Sequence, residues 1–403
     1  MATTKRTSDV EFDEDDELDV AEKLAPGSVA AVVNGTDWTT ETIVTQLKRG
    51  NIQLNPRFQR RDAWKRDRKS RFIESLIVGL PIPQIVLAES RTDRGKFIVL
   101  DGKQRLLAIS QFWGMGAETD KNLFPLTALP LRADLKGKTF VDLSTDPNLQ
   151  ADFDSLCNQT VRTIVIRSWR DTNFLHTVFL RLNTGSVSLS PQELRQALLP
   201  GDFSNYVDDA AVQSAGLQKL LGVDGPDSRM RDIEILARYL AFRFFASTYP
   251  GRMKRFLDDS FDEFNKKWTS YKAKVASAVV EFEAGVEELV QVFGDDVARK
   301  PTSRQFNRAI FDALIYFHSD PVLLKQLRSK RTRIKAAYAE LFKEGSPFLG
   351  AIESDTAGAP NTSTRFTQWA AALTKVVGHP VAPPAIPHPP AKKAGTGKAR
   401  KTN

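Results

Sequence analysis

The stretch that most constrains the fold is FIVLDGKQRLLAISQFWG, residues 97–114. Four apolar residues, Phe97 to Leu100, read as a buried strand, and the chain then turns at Asp101-Gly102. Leu106, Leu107, Ile109 and Phe112 follow at helical spacing until Gly114 stops the pattern. The polar cluster Asp101, Lys103, Gln104 and Arg105 therefore falls where a strand ends and a helix begins. The first turn of a helix offers unpaired N–H groups and a partial positive charge, which suit a phosphate. The plain alternative is an ordinary turn with an Asp cap and exposed cations.

A chain of 403 residues with 41% apolar content is long enough for two globular domains. No apolar run reaches the length of a membrane span, and the start of the chain is acidic, unlike a secretory leader. A single cysteine, Cys157, rules out an intramolecular disulfide and a Cys-rich zinc site. A cytoplasmic protein with no membrane partner is the expectation. The formal charge of +8 is unevenly spread: residues 1–20 carry −6, the tail from Pro389 carries +5, and the body between them carries +9. A basic body favours an anionic partner, nucleotide or nucleic acid. The acidic arm is either a cover for that surface or a solvated, disordered leader.

Residues 1–28 read as a disordered arm. From there to about residue 203 short strands and helices alternate: helices over Asp37–Lys48 and Asp67–Val78, a strand over Gln84–Glu89, and a hairpin tip at Arg91–Gly95. A loop-rich part, Leu123–Asp152, precedes a strand at Thr160–Arg167 and a helix at Thr172–Leu182. Residues 204–350 read as a helical domain, 351–378 as a short helical end segment, and 379–403, rich in Pro, Ala and Lys, as a disordered tail.

Three segments carry a family resemblance: NPRFQRRDAWKRDRKSRFIESLIVGLPIPQIVL (55–87), VLDGKQRLLAISQF (99–112) and FLRLNTGSVSLSPQELRQAL (179–198). In this order and spacing they resemble the N-terminal domain of the GmrSD-type, modification-dependent restriction endonucleases. That domain has a ParB/sulfiredoxin-like fold and a DGQQR signature. The resemblance implies a ParB/sulfiredoxin-like α/β module, and together with the helical pattern and the tail compositions read above it gives an α+β chain: that module followed by an all-helical domain, with disordered tails. It also implies a module that binds, and hydrolyses, a nucleoside triphosphate (GTP or ATP, with Mg²⁺), coupled to a separate nuclease in defence against foreign DNA. Asp101, Gly102, Gln104 and Arg105 fall on the signature. Lys103 replaces its commoner Gln, adding a cation suited to phosphate. Gln59 and Arg60 match an earlier Gln-Arg pair, and Asn183 matches an Arg-Leu-Asn element.

On a bound triphosphate, Arg105 would fork onto phosphate oxygens and Lys103 would act as a mobile point charge. Gln104 would orient a water, Asp101 would hold Mg²⁺ or accept the water's proton, and Gly102 would let the backbone approach closely. Asp101, Gln104 and Arg105 are thus the expected catalytic residues, and Gln59, Arg60, Gly102, Lys103 and Asn183 the expected nucleotide-binding ones.

Two basic runs offer another partner, DNA or RNA. Arg61 and Lys65 lie in a segment interleaved with Phe58 and Trp64; Lys330, Arg331 and Arg333 lie in the helical domain. Each run reads equally as the wet face of a helix. The rival hypotheses are therefore a non-catalytic nucleic-acid-binding subunit, or an endonuclease whose site has no recognisable motif. The four histidines, His176, His318, His379 and His388, form no HNH-type pattern, and His318 ends an apolar helix as a structural residue would. Cys157 has no base in sequence to make it a nucleophile.

Overall fold

The computed structural model describes residues 31–52, 54, 64–115, 124–169, 174–175, 178, 190–300 and 305–387. The chain is α+β: a small mixed sheet in its N-terminal part and a mostly helical C-terminal part. It divides into two units. One takes the described residues of Val20–Pro200 together with Pro226–Arg231, and the other takes Gly201–Gly225 with the described residues of Asp232–Asn403.

The first unit is built on four strands in the order β1-β4-β2-β3. Strand β1 (Val32–Thr39) runs antiparallel to β4 (Thr160–Arg167), β4 parallel to β2 (Ile85–Glu89), and β2 antiparallel to β3 (Phe97–Asp101). Strand β2 is apolar at successive positions because both sheet faces are covered. Ile85 and Leu87 enter one core cluster with Ile73, Leu76, Leu106 and Ile109, whereas Val86 and Ala88 enter a second with Leu100, Ile166 and Leu194. Helices α1 (Thr40–Lys48), α2 (Arg66–Val78) and α3 (Lys103–Phe112) supply the first cluster; α6 (Pro191–Leu198) supplies Leu194 to the second.

Two local expectations change. The helix expected from Asp37 begins at Thr40, because Asp37, Trp38 and Thr39 pair with Arg162, Val161 and Thr160 as the end of β1. Thr39 then caps α1 by accepting the Thr42 N–H at 3.1 Å. The segment expected as loop holds α4 (Phe140–Thr145), and α5 (Gln150–Asn158) begins within it. Phe140 and Phe153 pack these short helices on the first cluster, and a Thr139/Asp142 capping box opens α4. Of the helix expected at Thr172–Leu182, only Phe174, Leu175 and Val178 are described, and they pack in the second cluster.

The second unit comprises α7 (Asp202–Gln213), α8 (Ala215–Leu221), α9 (Arg231–Phe245, whose first residue belongs to the first unit), α10 (Met253–Lys266), α11 (Trp268–Phe293) and α12 (Arg308–His318). Helices α13 (Pro321–Leu327), α14 (Arg331–Glu340), α15 (Pro347–Glu353) and α16 (Ala359–Val377) follow. Within the closing segment, α16 has 19 residues and packs on α12, α14 and α15, with Phe366 and Trp369 buried. The first residues of the expected tail are also held. His379 Nε2 lies 2.7 Å from Gln326 Oε1, the Val381 N–H donates to Thr374 Oγ1 at 3.0 Å, and Ile386 is buried. Among the described residues no helix is long and apolar enough to cross a membrane.

Candidate functional site

Strand β3 delivers Asp101 to the end of the sheet, and Gly102 turns the chain into α3 at φ +94° and ψ 10°. A β-carbon there would lie 3.0 Å from Ile85 Cγ1 and 3.3 Å from Arg105 Nη2. The left-handed turn and the close approach both demand glycine. No side chain caps α3, and its first turn carries no acidic residue. Its N–H groups and dipole thus keep their attraction for an anion.

Arg105, only 8% exposed, folds back onto this turn. Its Nη2 donates to Asp101 Oδ2 and to the Gln84 carbonyl, both at 2.9 Å. Its Nε is buried with no hydrogen-bond partner. Such a buried donor costs stability unless something accepts from it.

Lys103 differs from its expected role. Rather than a mobile point charge it is a buried ammonium, with Nζ 2.5 Å from Glu193 Oε1. The reason is tertiary: α6 brings Glu193 in from 90 residues away. Glu193 also closes the capping box of α6. Its Oε2 accepts the Ser190 N–H at 2.6 Å while Ser190 Oγ accepts the Glu193 N–H at 3.1 Å. Gln104, expected to orient a water, accepts the Trp64 N–H on Oε1 at 3.3 Å. Asp101, expected to hold Mg²⁺, is paired through Oδ2 with Arg105.

Asp101, Gly102, Lys103, Gln104 and Arg105 thus stand together on one turn, and the structure adds Glu193 and the Gln84 carbonyl. Residues Gln59, Arg60, Arg61 and Asn183 lie outside the described residues. Four polar residues of α6 are buried, Gln192, Glu193, Arg195 and Gln196. Sequence reasoning missed them, although Ser190-Pro191-Gln192-Glu193 is a capping-box pattern that placed a helix start beside the Arg-Leu-Asn element.

The remaining expected residues fall elsewhere. Lys65 is the exposed cap residue of α2. In the helical unit Arg331 forks onto Glu288 at 2.7 and 2.8 Å, Lys330 is half-buried, and Arg333 is exposed, with Nη2 3.5 Å from the Lys375 carbonyl. His318 is fully buried. Its Nδ1 lies 2.9 Å from the Leu314 carbonyl and its ring stacks at 6.0 Å on Trp369. Burial pushes its pKa down to about 4, as befits a structural imidazole. Burial, helped by Glu41 and Asp154, pushes the Cys157 thiol up to about 11, which leaves it a poor nucleophile. Among the described residues no group of three or more His, Cys, Asp or Glu side chains is placed to hold a metal. Mg²⁺ on a nucleotide asks less, one or two carboxylates beside phosphate oxygens.

No curated protein matches the chain. A family model does, over residues 41–200, and its description is the GmrSD restriction endonuclease, N-terminal domain. The matched span ends at the residue that closes the main segment of the first unit, and it contains the β3–α3 turn and α6. Across residues 41–200 this chain resembles the N-terminal domain of GmrSD restriction endonucleases.

Proposed function

We propose that the first unit binds a nucleoside triphosphate, ATP or GTP, by its phosphates at the start of α3, hydrolyses it with Mg²⁺, and by that state controls a partner nuclease in restriction or anti-phage defence. The observation that carries this reading is the Arg105 Nε: a buried cationic donor without an acceptor, beside a glycine turn and an uncapped helix start. A phosphate oxygen is the acceptor that such a donor, the helix start and its dipole all favour. The family match supports the defence context, because the matched model belongs to restriction endonucleases.

The two cations of the turn are already matched by two carboxylates, Arg105 by Asp101 and Lys103 by Glu193. Arg105 would therefore receive the ligand through Nε while Nη2 keeps its bonds to Asp101 and Gln84. Asp101 Oδ1 is the oxygen left to hold Mg²⁺ or to take a proton from water. Bound Mg²⁺ supplies charge neutralisation on the phosphates. Lys103 and Gln104 would have to exchange partners to reach the ligand.

The test is binding and phosphate release with ATP and GTP plus Mg²⁺, for wild type, Arg105→Ala and Asp101→Asn. Arg105→Ala should weaken binding by at least about tenfold, the loss of one charge-assisted contact. Asp101→Asn should keep binding and lose turnover. Wild type without affinity for either nucleotide, or Arg105→Ala with unchanged affinity, would sink the proposal.

A second reading, nucleic-acid binding by the helical unit, rests on the exposed Lys325, Arg328, Arg331, Arg333 and Lys335. The hold of Glu288 on Arg331 counts against it. Its mark would be binding that falls steeply with salt and is blind to Arg105→Ala.

A further inference from the structure

Glu193 serves two partners at once. Its Oε1 takes Lys103 Nζ at 2.5 Å and its Oε2 takes the Ser190 N–H at 2.6 Å. Ser190 Oγ in turn donates to the Arg229 carbonyl at 2.7 Å. The Arg229 N–H donates to Asp227 Oδ1 at 3.0 Å, and the same oxygen accepts the Arg231 N–H at 3.0 Å. The other oxygen of Asp227 accepts from Arg231 Nε at 3.0 Å and Nη2 at 2.6 Å. Lys103 is the first residue of α3 and Arg231 the first of α9. A continuous polar line therefore joins the glycine turn to the root of α9, and Lys103, Glu193, Ser190 and Asp227 along it are buried.

A buried carboxylate needs its cation. Removing the partner leaves an uncompensated charge in a dry site, which forces the surroundings to hydrate or move. A phosphate at the start of α3 brings more negative charge to Lys103 than one carboxylate does. It thus competes for the ammonium that Glu193 holds.

Resting on the nucleotide reading above, we propose that Lys103 is exchanged between Glu193 and the ligand phosphate, so that occupancy of the turn loosens the Glu193–Ser190–Arg229 clasp at the root of α9. Glu193 is then a positioning residue: it touches no ligand and acts through Lys103 and Ser190.

The test is amide hydrogen exchange on the full chain, with binding of ATP and GTP plus Mg²⁺ measured in the same samples. In wild type, saturating nucleotide should speed exchange of the Ser190, Glu193, Arg229 and Arg231 amides by about tenfold or more. Glu193→Gln separates the two roles, because Gln still closes a capping box but carries no charge. It should bind nucleotide several-fold more tightly, and exchange at the four amides should no longer respond. The double variant Lys103→Gln/Glu193→Gln removes both charges of this pair. It should fold, bind more weakly through Arg105, and likewise show no response. Wild type that binds nucleotide with unchanged exchange overturns the inference and leaves the nucleotide reading standing. So does a response in Glu193→Gln or the double variant equal to that of wild type. Wild type that binds neither nucleotide overturns both.

Discussion

At φ +94° and with Ile85 Cγ1 3.0 Å from where a β-carbon would sit, Gly102 is the residue at which the turn is least tolerant of change. Gly102→Ala should cost about 1–2 kcal/mol from the left-handed backbone, and more if Ile85 cannot give way. Urea unfolding of the full chain would measure it. His318 makes a prediction of the opposite kind, one that depends on pH. The imidazole is neutral in both folded and unfolded chains above its ordinary 6.5, so it contributes nothing there. As pH falls below 6.5 the unfolded chain takes up a proton that the buried ring refuses until about 4. Stability should therefore drop between those values, by about 3 kcal/mol, and then level off. The His318→Gln variant should lack this part of the acid ramp in unfolding curves taken from pH 7 to pH 4, and an unaltered ramp would refute the assignment.

Helices α9 and α12 are clamped by a buried pair: Arg238 Nη2 meets Asp312 Oδ2 at 2.6 Å, Nε lies 3.1 Å from Oδ1, and both side chains are 2% exposed. Asp312→Leu takes away the closest carboxylate of a core guanidinium, leaving Glu234 3.8 Å away, and should cost about 3 kcal/mol, whereas Arg238→Met/Asp312→Leu should recover part of that loss. The shift in urea midpoint of the two variants decides it. On α6, Ser190→Ala removes the cap of a helix whose next six positions include four buried polar residues. A loss of about 1 kcal/mol is expected from the cap alone. The elements differ in how far the sequence foretold them. Strand β4 runs over the same residues, Thr160–Arg167, as its alternating pattern. Residues Asp37–Thr39 have a helix-compatible pattern, yet they pair with β4, and the ladder overrides the local preference.

On the scale of the whole chain the strongest asymmetry is charge, with −6 in residues 1–20 against +9 in the body. A chain lacking residues 1–20 should elute from heparin at higher salt than the full chain, since the arm's acids oppose the polyanion over about a Debye length. Equal elution would mean that the arm stays too far from the basic faces to matter. Substituting Lys325, Arg328 and Arg333 by Ala should lower the elution salt in both forms if the helical unit supplies the contact.

Local chemistry was enough for the strand–turn–helix, for the helical character of the second unit, and for the cluster Asp101 to Arg105. Hydrophobic period and turn residues act over a few positions, and they are written in order along the chain. Tertiary structure alone decided what those side chains touch. Lys103 reads in sequence as a cation open to a ligand, and in the fold it is a buried ion pair, because Glu193 arrives from α6. Arg105 reads as a fork, and in the fold Nη2 bonds Asp101 and Gln84 while Nε is buried without a hydrogen-bond partner. Burial and pairing are sums over neighbours distant in sequence, and no window of the chain contains them.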